Sequence, residues 1–247
     1  ENMQITTYLE KAATSELSGN IVDLCPVGAL TSKPYAFEAR SWELRKTPGI
    51  DVMDAVGSNI RFDSRGRQIL RVLPRINEAV NEEWASDKTR HAVDGLVRNR
   101  LDRPYVRKFG KLVPASWEEA FATIAEAMQG ATGDQVAAIA GDLVEVEAAF
   151  ALKALLESYG SGLHECRQDG ARFDVSSPGA YRFNATIAGL GSARAILLVG
   201  TNPRWEAPLV NTRIRKAVKA GARVFGIGPA VDLTYPVEWL GEGLSTL

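Results

Sequence analysis

The sequence predicts an α/β protein in which residues 104–247 form a doubly wound, mainly parallel sheet, preceded by a small β-rich domain at 41–103. Three observations carry this expectation. Continuous apolar runs at 136–140 and 195–199, with a third strand at 223–227, have the length and composition of strands buried on both faces. Between them lie segments with apolar residues at three- and four-residue spacing, and strands alternating with such helices imply parallel pairing. Upstream, two alternating stretches flank a glycine-containing turn, which is a hairpin signal.

The elements follow in chain order. Residues 1–40 hold a short segment, Thr7-Tyr8-Leu9-Glu10-Lys11, then the turn signal Ser18-Gly19-Asn20, and are too few to bury a core. In 41–103 the hairpin strands are expected at 59–62 and 68–73, around Asp63-Ser64-Arg65-Gly66-Arg67. Pro74 should end the second strand, because it has no N–H to give the ladder. A short helix or turn is expected at 77–84, followed by polar runs at 87–90 and 98–103 that read as solvated surface or the rim of an interface. Ser116-Trp117-Glu118-Glu119 is a capping box, and Trp117, Ala120, Phe121, Ile124, Ala125 and Met128 behind it form one apolar helical face, with Gly130 as the stop. The next helix should bury Ala148, Leu152, Leu155, Leu156 and Tyr159. A later one should turn Val210, Ile214, Ala217 and Val218 inward and Arg213, Arg215, Lys216 and Lys219 to water.

Composition narrows the function classes. With 29 basic against 30 acidic residues, no electrostatic argument favours nucleic acid or an anionic membrane. Two cysteines make no disulfide framework, which points to a reducing compartment. No apolar run approaches the ~20 residues of a membrane span, and no secretion signal is visible. The chain therefore reads as soluble and intracellular. His91 and His164 stand near no nucleophile at a recognisable spacing, and neither HExxH nor GxSxG occurs. Catalysis by side chains is not expected.

One hexapeptide carries more chemistry than the rest: Cys25-Pro26-Val27-Gly28-Ala29-Leu30. A Cys-Pro pair closing a ligand run is a habit of iron–sulfur proteins. Proline fixes φ, and Gly28 lets the backbone bend closely around a thiolate, with Val27, Ala29 and Leu30 expected to exclude water. The competing reading is a small buried hydrophobe. Cys166, in His164-Glu165-Cys166-Arg167, has no such setting and reads as structural or incidental. A second candidate is Gly200-Thr201-Asn202-Pro203-Arg204, which leaves one strand and enters a helix. Amides there suit a phosphate and Arg204 could pair with it, making a nucleotide or pterin site the alternative function, although neither GxGxxG nor a P-loop is present.

The run at 15–37, which contains the hexapeptide, closely resembles the large iron–sulfur subunit of respiratory complex I, NADH–quinone oxidoreductase. The resemblance continues at 51–60, 81–84, 86–90, 198–204 and 229–235, in the same order. It implies that 1–40 is the C-terminal tail of a ferredoxin-like iron–sulfur region, and that 104–247 is an incomplete molybdopterin-oxidoreductase-like domain without its cofactor. By the same resemblance Cys25 is the fourth ligand of a 4Fe-4S cluster whose CxxCxxC run lies upstream of Glu1. The resemblance also implies a role mainly as scaffold, in a subunit that passes electrons from NADH by way of flavin and clusters towards quinone. The expected partners are other complex I subunits, especially the flavin-bearing one. The expected place is a peripheral arm facing the bacterial cytoplasm or mitochondrial matrix. The fragment alone is expected to bind no cluster and no molybdopterin, and the runs at 87–90 and 98–103 become candidate docking surfaces.

Overall fold

The computed structural model describes residues 13–167, 170, 172 and 174–247. The segment Thr7-Tyr8-Leu9-Glu10-Lys11 lies outside the described residues. The chain divides into two compact units, one made of residues 1–96 with 182–247 and the other of 97–181.

The first part of the larger unit opens with a single helical turn, α1 (Asn20–Leu24). Strands β1 (Arg45–Ile50), β2 (Asn59–Arg65) and β3 (Gln68–Pro74) then form an antiparallel sheet with β2 in the centre. The hairpin is where the alternation places it, its strands closing at the pair Arg65 and Gln68, and Pro74 ends β3 as expected. Strand β1 has no signal in the sequence, because Pro48-Gly49 within it argues against a strand; it is tolerated because β1 is an edge. Asp63, in the central strand, is fully buried between Arg61 and Arg71, with N···O distances of 2.8 Å to each. Residues 77–84 are a turn, stitched by the buried Asn81: its Oδ1 accepts from the Asn59 amide, and its Nδ2 donates to the Arg75 and Trp84 carbonyls. Helix α2 (Asp87–His91) follows, its start capped by the Ser86 hydroxyl, which accepts from the Thr89 amide.

The smaller unit contains the hairpin β4 (Tyr105–Lys108) and β5 (Lys111–Pro114), helix α3 (Trp117–Met128), β6 (Ala138–Ile139), α4 (Val146–Ser158) and β7 (His164–Glu165). Strands β6 and β7 pair in parallel, which a helix between them permits. Ser116 caps α3 by accepting from the Glu119 amide, while the Glu119 carboxylate pairs with Lys108. The apolar face of α3 departs from expectation: Trp117, Phe121 and Ile124 are exposed, with the two rings stacked at a tilt 5.6 Å apart. Periodicity reports that a face needs a cover, and within this unit no described element supplies one. In α4, Leu156 is buried and Leu155 is not.

The larger unit resumes with β8 (Ala195–Val199), the short α5 (Pro203–Glu206), α6 (Pro208–Lys219), β9 (Arg223–Ile227) and β10 (Glu238–Gly241). Its sheet is parallel in the order β10-β9-β8. The core lies between this sheet and α6, where Leu198, Ile214, Val224 and Leu233 meet, flanked by Val210 and Val218. One expected water-facing residue differs: Arg213 is largely covered and pairs with Glu82 at 3.0 Å, which ties α6 to the 77–84 turn. Spacing along a helix cannot reveal a carboxylate so far back in the chain. Truncating Ile214 to Ala should cost about 2–5 kcal/mol by leaving a cavity in this core. The exposed Arg215→Ala should stay within about 0.5 kcal/mol. Urea unfolding of the two variants checks both.

Candidate metal-ligand turn

Cys25 sits at the end of α1, and its amide donates to the Val22 carbonyl at 3.3 Å. Gly28 then takes φ of 70°, which an L side chain would resist, and this bend carries the chain back over the sulfur. The Leu30 amide donates to Sγ at 3.4 Å. That amide, followed by those of Val27, Ala29 and Gly28, lowers the thiol pKa below its ordinary value, against a smaller opposing effect of desolvation. One backbone donor, the Leu30 amide, bonds the sulfur, and the neighbouring amides of the turn add to a nest that favours the thiolate, the form that binds metal. The donor chemistry therefore fits an iron–sulfur ligand better than a buried hydrophobe. The turn is not dry, however: Val27 is 80% exposed, Ala29 is exposed, and Cys25 itself is half-buried. Apolar character in the sequence does not amount to cover. Among the described residues no group of three or more His, Cys, Asp or Glu side chains could hold a metal, so Cys25 is one donor of a shared set at most.

The turn is held on both sides. Upstream, Asp87 accepts from the Gly19 amide at 2.7 Å and the Ser18 hydroxyl at 2.6 Å, and Asn20 bonds the Ala85 carbonyl and amide at 2.8 and 3.1 Å. Arg90 donates to Asn20 and pairs with Asp23. The run at 87–90, expected as solvated surface or a docking face, is thus engaged within the chain through Asp87 and Arg90. Downstream, the Tyr35 hydroxyl donates to the Ala39 carbonyl at 2.9 Å while its ring lies under the Arg71 guanidinium, 4.4 Å from centroid. Arg65 holds the Glu38 carbonyl at 2.9 Å. A groove of about 1380 Å³ is lined by Cys25, Gly28, Tyr35, Arg71 and Arg90. Sequence reasoning misses Asn20, Tyr35, Arg71, Asp87 and Arg90 as parts of this site. The charges at 87–90 are visible in it, but their partners, some 65–70 residues away, are not.

The second candidate behaves differently. Gly200 leaves β8 with φ of 60°, and the next residues turn on Glu206: the Thr201 hydroxyl donates to it at 2.6 Å and the Asn202 amide at 3.1 Å. Those two donors hold the Glu206 carboxyl below the usual carboxylate range, the Thr201 hydroxyl contributing most. Arg204, expected to meet a phosphate, instead pairs with Glu16 at 2.8 Å and Asp232 at 2.7 Å. The buried Asn202 Oδ1 has no partner. Cys166 is exposed and free, and His164 on β7 is exposed. The neighbouring Glu165 titrates at about 2 because the Arg167 side chain bonds it.

The nest makes a measurable claim about Cys25. With Cys166→Ser in place, iodoacetamide alkylation of Cys25 should rise to half its limiting rate below the ~8.5 of a free cysteine. The sign follows from the bonds: amide donors favour the thiolate, so deprotonation comes at lower pH. A midpoint at or above the free value contradicts the nest.

Residues 1–31 match the NADH-quinone oxidoreductase subunit 3, ferredoxin-like domain, and 44–94 match the NADH-ubiquinone oxidoreductase NDSU1/NuoG-like, 4Fe-4S domain. The latter segment contains no cysteine here. Along all of its length the chain is 52% identical to an NADH-quinone oxidoreductase subunit of Rickettsia felis, of which it covers 37%. It is 51% identical to the corresponding NADH-quinone oxidoreductase subunit of Rickettsia prowazekii, again covering 37% of that protein. It is also 51% identical, over 99% of its length, to the Solanum tuberosum mitochondrial NADH dehydrogenase (ubiquinone) iron-sulfur protein 1, of which it covers 33%. The chain thus spans 33–37% of the length of these curated relatives. Residues 100–247, more than half of the chain, match Molybdopterin oxidoreductase, and the chain belongs to that family, in a form similar throughout to a subunit of NADH-quinone oxidoreductase.

Proposed function

We propose that this chain is a segment of the iron–sulfur subunit of an NADH–quinone oxidoreductase, and that Cys25 gives one thiolate to a 4Fe-4S cluster of the complete subunit. The observation that carries the reading is the amide nest around Sγ, within a stretch matched by a ferredoxin-like domain of that enzyme. A four-iron cluster usually needs four cysteine thiolates, so the other three come from outside residues 1–247. When bound, the cluster supplies one-electron transfer, on the path from NADH and flavin towards quinone. The chain's own residues hold the sulfur as a thiolate, fix its direction, and carry the turn on a folded support.

The domain layout proposed is a ferredoxin-like tail at 1–40, a β-rich domain at 41–103 and an incomplete molybdopterin-oxidoreductase-like domain at 104–247. The family matches, which end at 31 and 94 and begin at 44 and 100, support those borders. No helix among the described residues is long and apolar enough to cross a membrane, which agrees with a place in a peripheral arm beside other complex I subunits. The flavin-bearing subunit is the neighbour proposed to deliver electrons, and the arm is proposed to face the bacterial cytoplasm or mitochondrial matrix. No molybdopterin is assigned to the domain. The alternative, a nucleotide or pterin module at Thr201–Arg204, is weakened because Glu206 already engages the loop donors and Arg204 is paired twice.

In the complete subunit, with its upstream cysteines, Cys25→Ala should remove about four irons per subunit. Iron analysis and EPR after anaerobic reconstitution read this directly. Undiminished iron in the variant would sink the ligand assignment.

A further inference from the structure

Helix α1 is five residues long, far short of the ~12–15 at which an isolated helix becomes even marginal in water. Its position, and so the direction of the Cys25 thiol two residues beyond Asp23, is set from outside. The agent is the Ser86–Arg90 segment. Both Asp87 carboxylate oxygens are engaged by the strip before Cys25, one by the Ser18 hydroxyl and one by the Gly19 amide, while the Asp87 amide donates to the Glu16 carbonyl at 2.9 Å. Gly19 is required by the fit: a Cβ there would stand 2.7 Å from Arg90 Cδ and 2.8 Å from Asp87 Oδ1. The Arg90 side chain is only 8% exposed, grips Asn20 and Asp23, and leaves its buried Nε without a partner. Asp87, Arg90 and Cys25 line the same groove.

We propose that Asp87 and Arg90 are positioning residues for the Cys25 thiolate, with Asp87 fixing the turn and Arg90 placing a constant positive charge on the wall of the groove that Cys25 lines. The proposal rests on Cys25 being a cluster ligand. A fixed cation on that wall favours the reduced, more negative state of an iron–sulfur group, and charge close to a cluster is one of the terms that set its potential. The same clamp, being made of charge-assisted bonds with defined directions, limits the orientations open to the sulfur.

The test uses the assembled complex carrying the full-length subunit, with EPR-monitored redox titration as the readout. Cys25→Ala identifies the signal concerned by removing it. Arg90→Gln should retain iron but move that signal's midpoint to more negative potential. Asp87→Asn should alter its g-values and linewidth. Arg213→Gln, which breaks a comparable ion pair with Glu82, should leave both unchanged. If Arg90→Gln fails to assemble, Arg90→Lys keeps the charge on a shorter side chain in place of the Nη2 that meets both Asn20 and Asp23, and should broaden the signal at a nearly unchanged midpoint. Signal shape and midpoint equal to the parent's in the Asp87 and Arg90 variants, while Cys25→Ala abolishes the signal, overturns the positioning role. Retention of every iron and signal in Cys25→Ala instead overturns the ligand assignment beneath it.

Discussion

The structure around Cys25 depends on one carboxylate. Asp87 accepts two short hydrogen bonds from consecutive residues, Ser18 and Gly19, and so converts a loose strip of chain into the fixed base of a one-turn helix. Hydrogen bonds to a charged acceptor are worth about 1.5–3 kcal/mol each when buried, against about 1 for neutral pairs. The Asn20 amide adds a two-way match to the Ala85 backbone, the geometry of a single strand pair made by a side chain. Without these contacts residues 18–25 would keep only the short-range backbone bonds of one helical turn, too few to fix the direction of the thiol.

The downstream anchor uses different physics. Arg71 is shared: one nitrogen meets the buried Asp63, and the flat guanidinium covers the Tyr35 ring. A lone buried carboxylate would be costly, and two flanking arginines offset that cost only because both are well placed. The central strand therefore carries its charge inside the sheet while using the arginine's other surface to hold the loop that leaves the cysteine turn. Sheet and turn are coupled through Arg71, and Arg65 adds a second link at the Glu38 carbonyl. The same sharing recurs at Glu82, which receives both Arg213 and Lys216 from α6.

Local signals are legible in the sequence and distant ones are not. The hairpin about Gly66-Arg67, the Ser116 cap, the parallel strands β8 and β9 and the inward row Val210, Ile214, Ala217 and Val218 all follow from spacing and turn chemistry, whereas the apolar run at 136–140, expected as a strand buried on both faces, gives only the two-residue β6 with Ile139 exposed. The Cys25 turn is legible for the same reason, since Pro26 and Gly28 sit within three residues of the sulfur. What escapes is pairing across the chain. Arg90 and Arg213 read as surface cations and Arg204 as a phosphate partner, and each is taken by a carboxylate that sequence order places far away. The face of Trp117 and Phe121 fails in the opposite direction: periodicity identifies it correctly as apolar, but says nothing about which surface covers it. Charge and apolar pattern state what a residue needs; only the fold states who supplies it.

The separation between Gly19 and Asp87, 68 positions, also has a meaning in time. A growing chain presents Cys25 long before it contains the residues that orient it. At roughly 5–20 residues per second, the interval is on the order of 3–14 s. During that period the thiol belongs to an unconstrained segment, open to oxidation or to capture by the wrong partner. On the proposed role of Cys25, metal loading that waits for α2 would meet a cysteine already facing its proper direction, and the clamp would act as a clock for cofactor insertion as well as a support for the finished site.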